Sequence, residues 1–145
     1  MQESETLRKD GGALSNKRPP RILVVDDDSR LRDLLRQFLT NNGFHVSVAE
    51  NAEQMNRLWL RERFDAVVLD VMMPGKLNGL DLCRLVKTDL SLGRPQVVLL
   101  TARGQSQDVE AGMNAGADAY LLKPFSPLKL IATIDTLGAQ SSELS

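Results

Sequence analysis

Five side chains that can bind a metal ion or a phosphoryl group each follow a short apolar run: Asp26, Asp27, Asp70, Thr101 and Lys123. Any one of them alone is more often a helix cap or an ordinary surface residue than a functional group. The apolar runs resemble buried strands of a parallel sheet, whose carboxyl ends meet at one edge where ligands bind. The spacing therefore predicts one pocket that holds all five side chains.

Three carboxylates in such a pocket repel one another. At ~5 Å and an effective dielectric constant of ~20, each pair costs roughly 3 kcal/mol. A hard divalent cation offsets this repulsion, and oxygen ligands favour Mg²⁺, with Mn²⁺ as an alternative. Three acids, one lysine and a doubly charged ion also sum to zero formal charge. The pattern predicts a metal site formed by Asp26, Asp27 and Asp70.

Asp70 is the candidate nucleophile of this pocket. A carboxylate can attack phosphorus and form an aspartyl phosphate. Such a transfer needs mainly positioning and neutralisation of the phosphoryl oxygens. The cation, the Lys123 ammonium and the Thr101 hydroxyl supply one neutralising contact each. Asp70 stands in the chain between the acid pair and these two residues, which favours it as the phosphoacceptor.

The apolar pattern predicts an α/β domain in which five strands alternate with five helices. The predicted strands cover residues 22–25, 44–49, 66–69, 97–100 and 119–122, and the last helix covers residues 127–137. This alternation predicts a parallel sheet covered on both faces. The first, third and fourth strands are continuously apolar, as expected of central strands. The second strand contains His45 and Ser47, and we expect it at an edge.

Composition excludes several other classes of protein. The chain has 145 residues, enough for one domain, and 18 basic against 19 acidic residues. This balance gives no electrostatic basis for binding nucleic acid or an anionic membrane. No apolar run is long enough to span a membrane. Cys83 is the only cysteine and His45 the only histidine, which argues against a zinc-type site and suits a cytoplasmic protein. We expect Cys83 to be a buried apolar residue.

Four segments resemble the receiver domains of two-component response regulators: Ile22–Asp28, Leu69–Gly75, Leu100–Arg103 and Tyr120–Phe125. The resemblance covers about residues 20–138, between a flexible tail at 1–19 and a second tail or linker at 139–145. It implies a flavodoxin-like, doubly wound parallel sheet of five strands in the order 2-1-3-4-5, with five helices.

The resemblance also implies a role for each residue of the pocket. Asp70 is the phosphoacceptor, and Asp26 and Asp27 hold Mg²⁺, with Asp27 the more direct ligand. The backbone carbonyl of Met72 completes the metal shell. Thr101 is the switch hydroxyl, and Lys123 binds the phosphoryl group.

The implied switch extends from the pocket to one surface of the domain. Tyr120 is the aromatic residue coupled to Thr101, and phosphorylation changes the face of the fourth helix, fifth strand and fifth helix, about residues 106–137. The Lys123–Pro124 bond is expected to be cis. The loop at residues 74–80 is one residue longer than is usual in the family, which we expect to alter partner choice but not the site.

The resemblance implies a signalling module rather than an enzyme. A sensor histidine kinase or a histidine phosphotransfer protein supplies the phosphoryl group, and a downstream protein or a fused output domain responds. A homodimer that forms on phosphorylation is also compatible with the sequence. Two alternatives are an aspartyl-phosphate phosphatase or phosphotransferase and an interaction module independent of phosphorylation. Met72 argues against the enzyme, because such enzymes need an acid two residues after the nucleophile.

Overall fold

A single parallel sheet organises the chain in the computed structural model, which describes residues 19–73, 78–102 and 106–144. Its strands are β1 (Arg21–Val25), β2 (His45–Ala49), β3 (Ala66–Asp70), β4 (Gln96–Thr101) and β5 (Ala119–Leu122). They lie in the order β2-β1-β3-β4-β5, and every neighbouring pair is parallel. The predicted fold class, strand order and edge position of the second strand are confirmed.

In the described part of the chain, five α-helices connect and follow the strands: α1 (Ser29–Asn41), α2 (Ala52–Trp59), α3 (Gly79–Thr88), α4 (Ser106–Asn114) and α5 (Pro127–Leu144). A short 3₁₀ helix, Leu90–Leu92, precedes β4. The side chain of Asp28 caps α1, and that of Asn51 caps α2 by accepting a hydrogen bond from the backbone N–H of Gln54. Such caps satisfy amide groups that have no partner within the helix.

The sheet is buried on both faces, and β1 illustrates how. Leu23 and Val25 point into one core layer, whereas Ile22 and Val24 point into the other. All four side chains are fully buried. Alternate residues of a strand face opposite sides, so a strand covered on both sides must be apolar throughout. This burial fixes the register of the strands and thereby the positions of the polar residues that follow them.

One helix prediction needs correction. The last helix does not end at residue 137 but continues to Leu144, because the residues after Gly138 include helix formers and no proline. In α3, Leu82 is buried whereas Leu85 is 42% exposed. Cys83 is buried as predicted.

Some predictions concern residues outside the described part of the chain. These are the N-terminal tail, of which residues 1–18 are not described, and the long loop, of which residues 74–77 are not described. Within the described ranges, no helix is long and apolar enough to cross a membrane.

Candidate functional site: an acidic pocket at the carboxyl edge of the sheet

The strand register places the polar residues of the pocket side by side at the carboxyl edge of the sheet. Val25 at the end of β1 pairs with Leu69, and Asp70 at the end of β3 pairs with Leu100. At the other side of β4, Thr101 pairs with Leu122. Parallel strands with this register end together, so the residues at and just after their ends surround one crevice.

Asp26 forms the floor of the crevice and is fully buried. All of its polar atoms have partners. Its backbone N–H donates to the carbonyl of Ala49 over 3.1 Å, and its carbonyl accepts from Nη1 of Arg32 over 2.7 Å. The carboxylate accepts from the backbone N–H of Asp28 over 2.9 Å and from Nζ of Lys123 over 3.2 Å. These contacts leave Asp26 a single orientation.

Asp26, Asp27 and Asp70 together form a cluster that fits a hard divalent cation. Each offers a carboxylate oxygen, and these oxygens lie within 4.8 Å of one another. Asp26 and Asp70 are buried, whereas Asp27 is exposed. Carboxylate oxygens at this spacing are a donor set of the kind that Mg²⁺ and Mn²⁺ prefer. The predicted convergence of the three acids is therefore found, and no ligand of another chemical type is needed.

Lys123 and Asp70 face each other inside the crevice. Nζ of Lys123 lies 3.3 Å from Oδ1 of Asp70, and the backbone N–H of Met72 donates to the same oxygen over 3.3 Å. Met72 itself is half exposed at the rim. The Lys123–Pro124 peptide bond is cis, as predicted.

Burial and charge shift the acid–base equilibria of this pair. Burial, together with the negative charge of Asp26, raises the pKa of Asp70 to about 6, although Lys123 and the Met72 N–H oppose the rise. Burial alone would lower the pKa of Lys123, but the carboxylates of Asp26 and Asp70 outweigh it and raise that pKa above 10.5. Lys123 is thus charged at neutral pH, and Asp70 ionises within reach of it.

Thr101 and Tyr120 lie on the same face of the sheet. Thr101 is buried at the end of β4, and its carbonyl accepts from the backbone N–H of Lys123 over 2.7 Å. Tyr120 pairs in register with Leu99, two residues before Thr101, and packs against the core layer on that face. The two predicted switch residues are therefore diagonal neighbours on adjacent strands.

Two residues at the pocket were not among the sequence candidates. Arg32 contacts the Asp26 carbonyl from α1, yet in the sequence it looks like the exposed Arg30 beside it. Gly79 starts α3 directly against the backbone of Asp70, where an added Cβ atom would overlap the carbonyl oxygen. A glycine at the start of a predicted helix was the available signal for this close approach.

The comparison with known proteins agrees with the fold. Residues 22–135 match the family described as "Response regulator receiver domain". PetR of Rhodobacter capsulatus is 44% identical over 119 residues, which cover 82% of this chain and 48% of PetR. The transcriptional regulatory protein ResD of Bacillus subtilis is 34% identical over 125 residues, which cover 86% of this chain and 50% of ResD.

A solved structure shows the same likeness. The BeF₃-activated receiver domain of DrrB, a Thermotoga maritima protein, is 35% identical with a TM-score of 0.71, and the match covers 81% of this chain and 96% of that domain. The fold and the family match define the class of this protein as a receiver domain. The chain belongs to the receiver domain family of two-component response regulators. It spans about half the length of the curated relatives it matches.

Proposed function

We propose that this receiver domain accepts a phosphoryl group on Asp70 and relays that event to an output. The observation that carries the proposal is the environment of Asp70. Its side chain is 5% exposed and 3.3 Å from the Lys123 ammonium, and two more carboxylates lie within 4.8 Å. A buried acid beside a fixed cation and a cluster of metal-type donors suits a nucleophile for phosphorus.

The phosphoryl group passes from a phosphohistidine of the donor to Asp70. An ionised carboxylate oxygen of Asp70 attacks the phosphorus of a phosphohistidine and forms an O–P bond. The P–N bond breaks, and its electron pair remains on the imidazole nitrogen. Lys123 stabilises charge on the phosphoryl oxygens through its ammonium group. The donor is a sensor histidine kinase or a histidine phosphotransfer protein.

Asp26, Asp27, Asp70 and the backbone carbonyl of Met72 would hold Mg²⁺, with Mn²⁺ as an alternative. When bound, the ion neutralises negative charge on the phosphoryl oxygens. Asp27 is the more direct ligand, because it is exposed whereas Asp26 has both carboxylate oxygens engaged.

Thr101 and Tyr120 carry the signal outward. The Thr101 hydroxyl moves toward the phosphoryl group, and Tyr120 follows into the vacated space on the same face of the sheet. The surface of α4, β5 and α5 then changes, which is a shift between two packings of one domain. A downstream protein or a fused output domain reads this surface. The half-length match to PetR and ResD supports a fused output domain.

The receiver unit comprises residues 20–138 and acts in the cytoplasm, with no turnover beyond its own phosphorylation and dephosphorylation. Leu137 packs against the core layer that contains Leu130 and Ile134, which supports a unit that extends at least to this residue. Removing residues 139–145 should leave the melting temperature almost unchanged. A large decrease would place the boundary later.

Intact-mass spectrometry tests the proposal. The protein is incubated with acetyl phosphate, with and without Mg²⁺. We expect a gain of one phosphoryl group that requires Mg²⁺ and is absent in Asp70→Asn. Asp33→Asn is the matched control, because Asp33 is an exposed residue of α1. No gain in the unaltered protein, or an equal gain in Asp70→Asn, would contradict the proposal.

A further inference from the structure

We propose that Arg32 is a positioning residue of the acidic pocket, which holds the Asp26–Asp27 peptide so that Asp27 faces Asp70. Its guanidinium donates to the carbonyl oxygen of Asp26 over 2.7 Å, and its side chain is only 16% exposed. This inference rests on the proposed function, because it assigns a residue that orients a metal ligand.

The carbonyl of Asp26 controls the direction of Asp27 through covalent geometry. That oxygen belongs to the peptide group whose nitrogen is the nitrogen of Asp27. Because the peptide group is planar, a hydrogen bond that fixes the oxygen also fixes the plane from which Asp27 extends. The bond is short and comes from a charged donor, which makes it stronger than a neutral one.

Asp27 depends on this support more than its neighbour does. Asp26 is held at its backbone N–H and at both carboxylate oxygens as well. Within the described ranges, no hydrogen bond restrains the Asp27 side chain, and it is exposed. The orientation of Asp27 toward Asp70 therefore follows mainly from the main chain before it, which Arg32 secures.

Glu50 in turn holds Arg32. Nη2 of Arg32 lies 3.7 Å from Oε1 of Glu50, and Gln54 donates to the other oxygen of Glu50 over 3.2 Å. Glu50 also follows Ala49, whose carbonyl accepts from Asp26. Removing Arg32 would leave the carboxylate of Glu50 unpaired, and this extra negative charge would by itself favour a nearby cation. Weaker Mg²⁺ binding without Arg32 would therefore report lost positioning rather than lost charge.

The test measures Mg²⁺ binding by isothermal titration calorimetry in the full chain. We expect Arg32→Met to weaken the affinity by about tenfold, the lower end of the usual effect for residues that orient metal ligands. Arg32→Lys keeps one charged donor and should recover part of the loss. Arg36→Met is the matched control, since Arg36 is an exposed residue of the same helix that pairs with Asp33 one turn before it.

Two further measurements separate positioning from folding. Thermal unfolding in EDTA should show that Arg32→Met is fully folded at the temperature of the titration, although the loss of a bond to the buried Asp26 carbonyl makes it less stable than Arg36→Met. Phosphorylation by acetyl phosphate should recover in Arg32→Met when Mg²⁺ is raised in proportion to the weaker affinity. Equal or tighter Mg²⁺ binding by Arg32→Met, or an equal loss in Arg36→Met, would overturn the role of Arg32. Failure of the proposed function is distinct, because the unaltered protein would then neither bind Mg²⁺ nor gain a phosphoryl group.

Discussion

Lys123 forms an ion pair with Asp70, with 3.3 Å between Nζ and Oδ1. The same ammonium lies 3.2 Å from Oδ2 of Asp26, so one positive charge bridges two buried acids. The ammonium of Lys123 would repel a metal ion bound by these acids. The same charge would attract the negatively charged oxygens of an incoming phosphoryl group. Lys123 should therefore oppose metal binding and assist phosphoryl transfer.

Lys123→Met separates these two effects. Without the ammonium, the acids should bind Mg²⁺ more tightly, because a like charge has left the pocket. Phosphorylation by acetyl phosphate at saturating Mg²⁺ should be slower by roughly 100-fold, the effect of losing one donor to a developing oxyanion. Calorimetry and time-resolved intact mass measure the two quantities.

Lys129→Met is the control for this substitution, since Lys129 is exposed on α5. It should change neither the Mg²⁺ affinity nor the transfer rate. An unchanged transfer rate in Lys123→Met would rule out a direct contact between Lys123 and the phosphoryl group.

The raised pKa of Asp70 predicts how the metal-free protein responds to pH. The folded carboxyl ionises at about pH 6 and the unfolded one near 3.8. Between about pH 4 and 6, Asp70 keeps its proton in the folded state and loses it in the unfolded state. Its contribution to stability therefore falls as the pH rises through this range and stays constant above about pH 6. A shift of about 2 units corresponds to about 3 kcal/mol.

Asp70→Asn removes this contribution. In EDTA, the variant should therefore exceed the unaltered protein in stability by an amount that grows between pH 4 and 6 and then stays constant. Urea unfolding followed by the fluorescence of Trp59, the single tryptophan, measures the difference. A variant that is less stable at neutral pH would show that the Lys123 ion pair outweighs the burial of the charge.

The strand ends of the pocket could be predicted from the sequence because topology alone brings them together. Asp70 and Thr101 are the last residues of adjacent parallel strands, and Lys123 follows the next strand. Once continuous apolar runs identify central strands, no further information is needed to place these residues at one edge.

The supporting contacts could not be predicted in the same way. Arg32 and Arg30 differ in the direction of their side chains from α1, and only the fold shows which one reaches Asp26. The same holds for α3, where Leu82 rather than Leu85 faces the core. A helical pattern with apolar residues on adjacent positions does not define the buried face to within one residue.

Cys83 should be nearly unreactive in the folded protein. Burial raises the pKa of its thiol to about 11, from 9.0 in the unfolded chain. A rise of about 2 units lowers the thiolate fraction about 100-fold at pH 8, and the thiolate is the reactive form. Ellman's reagent should react slowly in buffer and rapidly in urea.

The raised pKa of Cys83 also makes the stability of the protein depend on pH. Above about pH 9 the unfolded thiol ionises while the folded one keeps its proton, so the Cys83 contribution makes stability fall as pH rises toward 11. Cys83→Ala should lack this part of the alkaline loss. Equal reaction rates in buffer and in urea would show that the thiol is exposed.

Gly112 on α4 faces the ring of Tyr120 on β5. A methyl group at position 112 should displace this ring. An added Cβ atom would lie 3.0 Å from Cδ2 of Tyr120 and 3.0 Å from Cδ1 of Leu99. If Tyr120 is the switch residue, Gly112→Ala should alter the conformational equilibrium before any phosphorylation. Tyr120 is the only tyrosine, so incorporated fluorotyrosine gives a single ¹⁹F resonance that reports on this ring.

We expect Gly112→Ala to move that resonance in the resting protein and to reduce the further change on adding Mg²⁺ and beryllium fluoride. Gly138→Ala is the control, because nothing lies within 4 Å of an added Cβ atom there. If beryllium fluoride does not move the resonance in the unaltered protein, Tyr120 is not a switch residue. A resonance that responds normally in Gly112→Ala would mean that the ring and α4 move independently.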